Sequence, residues 1–373
     1  MKIAVNARLL LKDKIEGIGR FSYEVLKRIT KNNPDIKFYF IFDRPFSEEF
    51  IFSKNIEPVV CFPPSRHPLL WYWWFEFSLP NVLKKIEPDL FFSPDGYLSL
   101  STKVPSFPVI HDINFMHDSY SLPKSSLIYY KHFFPRFARK AKRIITVSEF
   151  SKTDIAKSFQ IDENKIDVAY NGVSDFFSVC TEKECSDFKT RFTQGKDYFV
   201  YAGSINPRKN IASLCLAFEE FKNMTQSPAK LLIVGKKMYG GSDIENVLMK
   251  MHYSKDVIFT GRLSDEDLKI ALSAALALVY IPFFEGFGLP IVEAMKAGTA
   301  VITSHVSALP EIGSDAVMYV DPHSIASISQ ELVKIFENKE VRNMYIQKGF
   351  ERAKLFHWDK TAEIVWNTLI KDY

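Results

Sequence analysis

The sequence predicts an α/β protein built from two doubly wound parallel-sheet (Rossmann-like) domains facing a cleft. Three observations predict it. Short β-branched or aromatic runs alternate with amphipathic stretches along the chain, the order of a parallel sheet covered on both faces. The alternation fades in a polar stretch at 174–196 and restarts at Tyr198. The length, 373 residues, suits two domains of roughly 150–200 residues, each able to bury its own core.

The elements follow in order. Lys2–Asn6 reads as a buried strand, and Arg20–Lys31 as a helix with Phe21, Val25, Leu26 and Ile29 on one face. Lys37–Phe42, Pro58–Phe62, Asp89–Ser93, Phe107–Ile110 and Arg143–Val147 are further strands. Lys124–Lys142 looks helical, though Pro135 should kink or divide it. After the restart, Tyr198–Ala202 is a strand and Asn210–Phe221 a helix. Leu231–Val234, Val257–Phe259, Leu276–Ile281 and Ala300–Thr303 are strands with helices between them. The stretch Ser174–Lys196 is taken as the connection, which sets the first domain at 1–175 and starts the second at 176. Ligands of such sheets bind beyond the carboxyl ends of the strands.

Composition narrows the class. Hydrophobic residues at 47% and a net charge of +4 exclude a disordered chain. Gly (15) and Pro (19) show no short period, which excludes collagen-like and low-complexity chains. The charge is uneven: residues 1–180 hold 25 Lys and Arg against 20 Asp and Glu, a net +5, and the rest is −1. Within 120–160 nine basic residues face two acidic ones, Glu149 and Asp154. That local +7 suits an anionic partner or an anionic membrane surface, and a solvated helix face explains it equally well. Cys61, Cys180, Cys185 and Cys215 have no metal-site spacing and read as reduced thiols. The N-terminus lacks signal-peptide form, and the longest apolar run, about Ile270–Phe284, is too short to span a bilayer. A cytoplasmic protein, at most peripheral to a membrane, is expected.

Four motifs carry chemistry. Gly17-Ile18-Gly19-Arg20 follows the first strand and opens a helix, where bare amides and the helix dipole favour a phosphate. It misses the dinucleotide fingerprint, because Ser22 stands at the third glycine position, and a plain turn remains open. Gly203-Ser204-Ile205-Asn206-Pro207-Arg208-Lys209-Asn210 lies between a strand end and a helix start. Two adjacent cations there suit a pyrophosphate, with Arg208 as a fork and Lys209 as a point charge; exposed cations before a helix are the plainer reading. Glu285-Gly286-Phe287-Gly288-Leu289-Pro290-Ile291-Val292-Glu293 sets two carboxylates eight apart across a loop and a helix start, where they suit sugar or ribose hydroxyls. A lone early-helix Glu is usually a surface residue. His111 ends the strand Phe107–Ile110 and so faces the cleft rather than the core. No His, Asp or Glu set has metal spacing, and nothing marks a nucleophile elbow.

Taken together the motifs resemble those of retaining glycosyltransferases of the GT-B fold, the E-x7-E family (group 1, family 4). The matches run nearly end to end: G-I-G-R at 17–20, V-I-H-D at 109–112, V-S-E-F-S-K at 147–152, N-G-V at 171–173, G-S-I-N-P-R-K-N at 203–210, L-I-V-G at 232–235, F-T-G-R-L-S-D-E-D-L at 259–268, E-G-F-G-L-P-I-V-E-A-M-K-A-G at 285–298, A-L-P-E-I at 308–312 and W-D-K-T-A at 358–362. A-R-L-L followed by G-I-G-R is similar to bacterial mannosyltransferases that extend O-antigen and related polysaccharides. The resemblance implies a hexosyltransferase, with mannose from GDP-mannose as the lean and a glycan or lipid-linked acceptor in cell-surface polysaccharide biosynthesis. It implies no metal and no cofactor beyond the donor, and no nucleic-acid partner. It places His111, Arg208, Lys209 and Glu285 in catalysis, and Gly17, Gly19, Gly203, Ser204, Gly235, Phe287, Gly288, Leu289 and Glu293 with Arg208 and Lys209 around the donor. Within it, Arg208 and Lys209 neutralise the diphosphate, Glu293 accepts from ribose, and Glu285 accepts from the sugar with the amides of Phe287, Gly288 and Leu289. It ends the second domain at 356 and sends residues 357–373 back to the first as a helix. Two alternatives stay open: a nucleotide-sugar epimerase-like isomerase on this fold, or a glucosyl- or N-acetylglucosaminyltransferase using a UDP-sugar.

One segment is unusual. Trp71-Tyr72-Trp73-Trp74-Phe75-Glu76-Phe77 lies in the first domain, where Phe133, Phe134 and Phe137 interleave with Arg136, Arg139 and Lys140. Trp71, Trp73, Trp74, Arg136, Arg139 and Lys140 are therefore candidates for meeting an acceptor or the cytoplasmic face of an inner membrane. The plainer reading is that most of the rings are core.

Overall fold

The computed structural model describes residues 1–12, 15, 17–65, 67–117, 122–236 and 242–371. The chain forms two units, Met1–Gly172 with His357–Tyr373, and Val173–Phe356. The first unit holds β1 (Lys2–Asn6), β2 (Lys37–Phe42), β3 (Ile56–Val60), β4 (Leu90–Ser93), β5 (Ser106–Pro108), β6 (Ile144–Thr146) and β7 (Ile166–Val168). The second holds β8 (Tyr198–Ala202), β9 (Lys230–Val234), β10 (Val257–Gly261), β11 (Ala277–Tyr280), β12 (Ala300–Ser304) and β13 (Met318–Val320).

All paired strands are parallel, so each needs a crossover, and helices supply most of them. The strands β1, β2, β8 and β9 are buried along nearly their whole length rather than alternately, as expected when helices cover both faces. In the first unit the order is β3-β2-β1-β4-β5, with Ile3 opposite Phe38 on one side and Leu90 on the other. In the second it is β10-β9-β8-β11-β12-β13. Each order reverses at one place, between β1 and β4 and between β8 and β11. Those are the topological switch points, where crossovers diverge and leave a crevice at the carboxyl ends. Phe21, Val25 and Leu26 of the helix Ile18–Asn32 join the core of the first unit, and Leu214, Phe218, Ile291 and Val292 that of the second.

The last helix, Trp358–Ile370, belongs to the first unit. Arg28 Nε donates to Asp359 Oδ1 (2.5 Å), Thr361 Oγ1 donates to Tyr170 O (2.5 Å), and Trp358 meets Phe21 edge-on at 6.2 Å. Gly172 permits this approach, since a Cβ there would lie 2.1 Å from Trp358 N.

Three local expectations are corrected. The stretch read as a connection carries a helix, Glu182–Thr193, closed by a capping box between Thr181 and Glu184. Its periodicity was weak because it buries little more than Phe188, which packs against Tyr198 at 6.1 Å. Pro135 does not divide its helix, which runs from Lys124 to Lys140. The carbonyl left without a partner by the missing N–H is that of Lys131, an exposed residue. The edge strand β13 and the short β7 had too few apolar residues to stand out. Among the described residues no helix is long and apolar enough to cross a membrane.

Candidate active site

The site in the second unit grows from the loop after β8. Gly203 and Gly235 both have φ near 145° (145° and 147°), open to glycine and strained for other residues. A Cβ on Gly235 would lie 1.8 Å from Gly203 O, so the two loops can meet only where residue 235 has no side chain. Gly203 N donates to Val234 O (3.0 Å) and Ile205 N to Lys236 O (2.9 Å), which fixes the loop against its neighbour. Tyr201 OH donates to Ser204 O (2.8 Å) from beneath. Pro207–Lys209 then makes one tight turn, and Asn210 (φ 59°) leads into the helix Ile211–Thr225. Asn210 Nδ2 anchors the junction on Pro322 O (2.8 Å).

This loop is knitted to the one after β11. Phe283 N donates to Arg208 O (2.9 Å), and Arg208 NH1 donates to Phe284 O (2.6 Å). The result is a compact charged cluster. Glu285 Oε2 accepts from Arg208 NH1 (3.2 Å), from Tyr280 OH (2.8 Å) and from Lys209 Nζ. Lys209 Nζ also donates to Tyr280 OH at 2.5 Å. The Lys209 side chain is 8% exposed, those of Arg208 and Glu285 15%. Burial would raise the Glu285 carboxyl, but Lys209 and Arg208 outweigh it and bring it down to about 2. Burial pushes Tyr280 well above its ordinary value, so it remains a donor. Arg208 and Lys209 set two cations around the Glu285 carboxylate at the switch point. That local positive charge suits an anionic group.

The Glu285 loop is rigid by its own bonds. Glu285 N donates to Ser307 Oγ (2.9 Å), and Ala308 N donates to Glu285 O (3.3 Å). Gly288 (φ 91°) precedes the helix Leu289–Lys296, with Pro290 in its first turn and no side chain capping its N-terminus. A Cβ on Gly288 would meet Leu309 Cδ2 at 2.7 Å. Phe287 is buried and meets Phe356 edge-on at 5.6 Å, so its ring serves the core rather than a ligand. Leu289 and Glu293 are half-buried on the same short helix.

In the first unit His111 follows the short run that pairs with β6. Its Nε2 lies 2.9 Å from Pro94 O, and Phe21 meets the ring edge-on at 4.9 Å. Burial lowers its pKa, so the imidazole is neutral at pH 7. The carbonyl partner then places the proton on Nε2 and leaves Nδ1 an acceptor. Gly17 (φ 44°) precedes the helix Ile18–Asn32, and Gly19 lets Leu9 O approach to within 3.0 Å of where a Cβ would sit. Ser22, at the expected third glycine, is buried and returns its hydroxyl to Ile18 O (2.8 Å).

Sequence reasoning missed two groups. One is Tyr280, which shares both Lys209 and Glu285; its place at the end of β11 was the available signal. The other is a buried network at the first switch point. Arg8 Nε donates to Asp95 Oδ2 (2.5 Å), Asn6 Nδ2 donates to Asp95 Oδ1 (2.8 Å), and the Arg8 guanidinium lies 4.1 Å from the Tyr97 ring centroid. Arg8 and Asp95 each lie two residues past the ends of β1 and β4, so strand ends were again the signal.

The expected surface residues separate. Trp74 is fully buried and donates from Nε1 to Cys61 O (2.6 Å), so it is core and not a surface ring. Trp71 is partly covered, donates to Ser65 O (2.9 Å) and stacks on Tyr130 at 5.6 Å. Lys140 is also corrected: its Nζ is spent on Leu100 O (2.7 Å) and Thr102 O (2.5 Å), and burial lowers its pKa. Arg139 donates to Phe159 O (3.3 Å) yet stays exposed, and Arg136 is exposed beside His132. Trp73 is 54% exposed.

Comparison with known proteins agrees with this geometry. The model of the family described as "Glycosyltransferase Family 4" matches residues 15–175, and that of "Glycosyl transferases group 1" matches residues 182–352. The chain is similar to the O-antigen chain mannosyltransferase B of Escherichia coli, 28% identical over 364 residues and 94% of each chain. It is also similar to the O-antigen chain mannosyltransferase RfbU of Salmonella typhimurium, 30% identical over 217 residues, 57% of this chain and 56% of that one. Among solved structures, a sucrose-phosphate synthase from Thermosynechococcus elongatus superposes with a TM-score of 0.81 at 15% identity, covering 100% of both chains. WaaG, a glycosyltransferase involved in lipopolysaccharide biosynthesis, gives 0.76 at 14% identity, again covering 100% of both. The shared fold is GT-B.

Proposed function

The chain belongs to the GT-B glycosyltransferases of group 1 and family 4, and from that premise we propose that it transfers mannose from GDP-mannose to a glycan or lipid-linked hydroxyl, with retention and without a divalent metal. The observation that carries this is the Arg208–Glu285–Lys209 cluster at the switch point between β8 and β11. Arg208 and Lys209 take the donor diphosphate and stabilise the charge that grows on it as the glycosidic bond breaks. They supply there the positive charge that a metal would otherwise bring. Glu285 accepts from donor sugar hydroxyls through its carboxylate, and Glu293 accepts from the ribose. The amides at Gly288 and Leu289 add the positive end of a short helix. Gly17 and Gly19 meet phosphate or acceptor, and His111 meets the transferred sugar.

Retention follows a front-face course in this reading. Glu285 is a poor nucleophile: one of its oxygens is shared by three donors, and its pKa is about 2. The sugar therefore passes through a short-lived oxocarbenium-like ion pair with the leaving diphosphate. Mannose is favoured because similar proteins along this chain are mannosyltransferases. Polysaccharide assembly at the cytoplasmic face of a membrane is the setting that fits.

The test is turnover with GDP-mannose and extracted glycolipid in EDTA, with the product anomer read by NMR. The expected result is an α-mannoside formed only when acceptor is present. Loss of activity in EDTA restored by Mg²⁺ would refute the metal-free part. Conversion of donor without acceptor would favour an isomerase, and turnover only with UDP-sugars would replace the donor.

A further inference from the structure

The helical stretch from Pro68 to Ile86 presents an unusual outer face. It begins as the helix Pro68–Trp73, widens for one turn at Trp74–Ser78, and continues as the helix Leu79–Ile86. Trp74 and Phe75 enter the core while Tyr72, Trp73 and Phe77 point out. Leu69 is 75% exposed, Trp73 54%, Phe77 46%, Tyr72 43% and Leu70 38%. Trp73 and Phe77 touch at 4.9 Å and Tyr72 and Phe77 at 5.9 Å, so the rings form one patch. Such a patch has a purpose more often than scattered surface rings do.

The neighbouring helix Lys124–Lys140 extends it. Tyr72 lies 5.7 Å from Phe133, and Ile128, 70% exposed, stands on the outer stripe of that helix. Lys124 and Lys131 flank Ile128 at helical spacing, and Arg136 follows; all three are exposed. The helix Lys124–Lys140 contains no acidic residue. The one acid between residues 67 and 86, Glu76, is turned inward and accepts from Leu100 N (2.6 Å) and Ser101 N (3.1 Å). The face is therefore apolar and aromatic, rimmed by cations, with its nearby carboxylate already bound.

We propose that this face docks on an anionic phospholipid bilayer, with Leu69, Leu70, Tyr72, Trp73, Phe77 and Ile128 entering the headgroup and upper acyl region and Lys124, Lys131 and Arg136 meeting lipid phosphates. Aromatic rings with a polar edge and cations on long stems suit that interface. A second copy of the chain suits it less, because a two-fold contact would set cation against cation. The inference goes beyond the transfer reaction and does not depend on which sugar is moved.

Flotation with vesicles, without donor, tests it. The chain should float with phosphatidylglycerol–phosphatidylethanolamine vesicles and about tenfold less with phosphatidylcholine alone. The triple substitution Leu69→Ser, Trp73→Ser, Phe77→Ser should lower the partition coefficient by about tenfold or more. Lys124→Gln with Lys131→Gln should remove the preference for anionic lipid. If the triple variant folds poorly, Trp73→Phe alone serves, since lipids brominated on their acyl chains should quench a larger share of the parent's Trp fluorescence than of the variant's. Flotation unchanged by these substitutions, equal flotation on neutral vesicles, or a dimer that the triple substitution dissociates without any lipid binding would overturn the proposal.

Discussion

Replacing Glu285 by Gln isolates the charge at the centre of the cluster. The shape is kept, but Lys209 and Arg208 lose the carboxylate they share. The Glu285 carboxyl titrates at about 2 in the folded protein against 4.5 for an ordinary Glu. That depression is worth roughly 3 kcal/mol of stability at neutral pH. The sign is fixed by its direction: the stabilisation is full above about pH 4.5 and is lost as pH falls through about 2. For a unit of this size roughly 3 kcal/mol corresponds to a melting shift of about 6–12 °C. Differential scanning fluorimetry from pH 7 to pH 3 should show the largest gap at pH 7 and a narrowing gap below about pH 4.5. The same variant removes the carboxylate charge that opposes both cations, so GDP should bind at least as tightly by calorimetry while sugar transfer collapses. A melting temperature within about 1 °C of the parent at pH 7, or GDP binding weakened by more than about tenfold, would refute this picture of the cluster.

Tyr280→Phe removes only the hydroxyl that Lys209 and Glu285 share. It should cost about 1–2 kcal/mol of stability and reduce kcat by about tenfold, less than loss of either charged partner, as stopped-time turnover assays would show. Gly235→Ala should destabilise the second unit by more than about 3 kcal/mol, because its Cβ has no space beside Gly203 O; urea denaturation reads this out. Trp74→Ala should cost about 3–5 kcal/mol as a core deletion, whereas Trp73→Ala should leave urea stability within about 0.5 kcal/mol, since only Trp74 is buried.

The strands were legible because they are buried on both faces, and burial writes a continuous apolar run: β1, β2 and β8 lie where the pattern puts them. β13 and the helix Glu182–Thr193 were not, because an edge strand and a surface helix bury only a residue or two. The donor-loop residues were legible since glycines and paired charges at strand ends have few structural uses. Their mutual arrangement was not. Nothing in the spacing of Arg208, Lys209 and Glu285 says that one carboxylate oxygen meets both cations, because that depends on β8 and β11 being neighbours. The aromatic run was the hardest part. Helical spacing puts Trp71, Trp74 and Phe75 on one side, which is the side the structure covers, but nothing in so uniformly aromatic a run says which side faces the core.

The proposed role of the Arg208–Glu285–Lys209 cluster is tested most directly by Lys209→Ala, assayed for mannosyl transfer from GDP-mannose to extracted glycolipid. Lys209 is the most buried of the cluster's charged side chains, so no other surface cation replaces it. Turnover should fall by about 10²-fold or more, the usual cost of losing a group that stabilises charge in the transition state. With Lys209 gone, added Mg²⁺ should restore little. Turnover within about threefold of the parent, in a variant shown to be folded by its melting curve, would contradict a diphosphate held by Arg208 and Lys209.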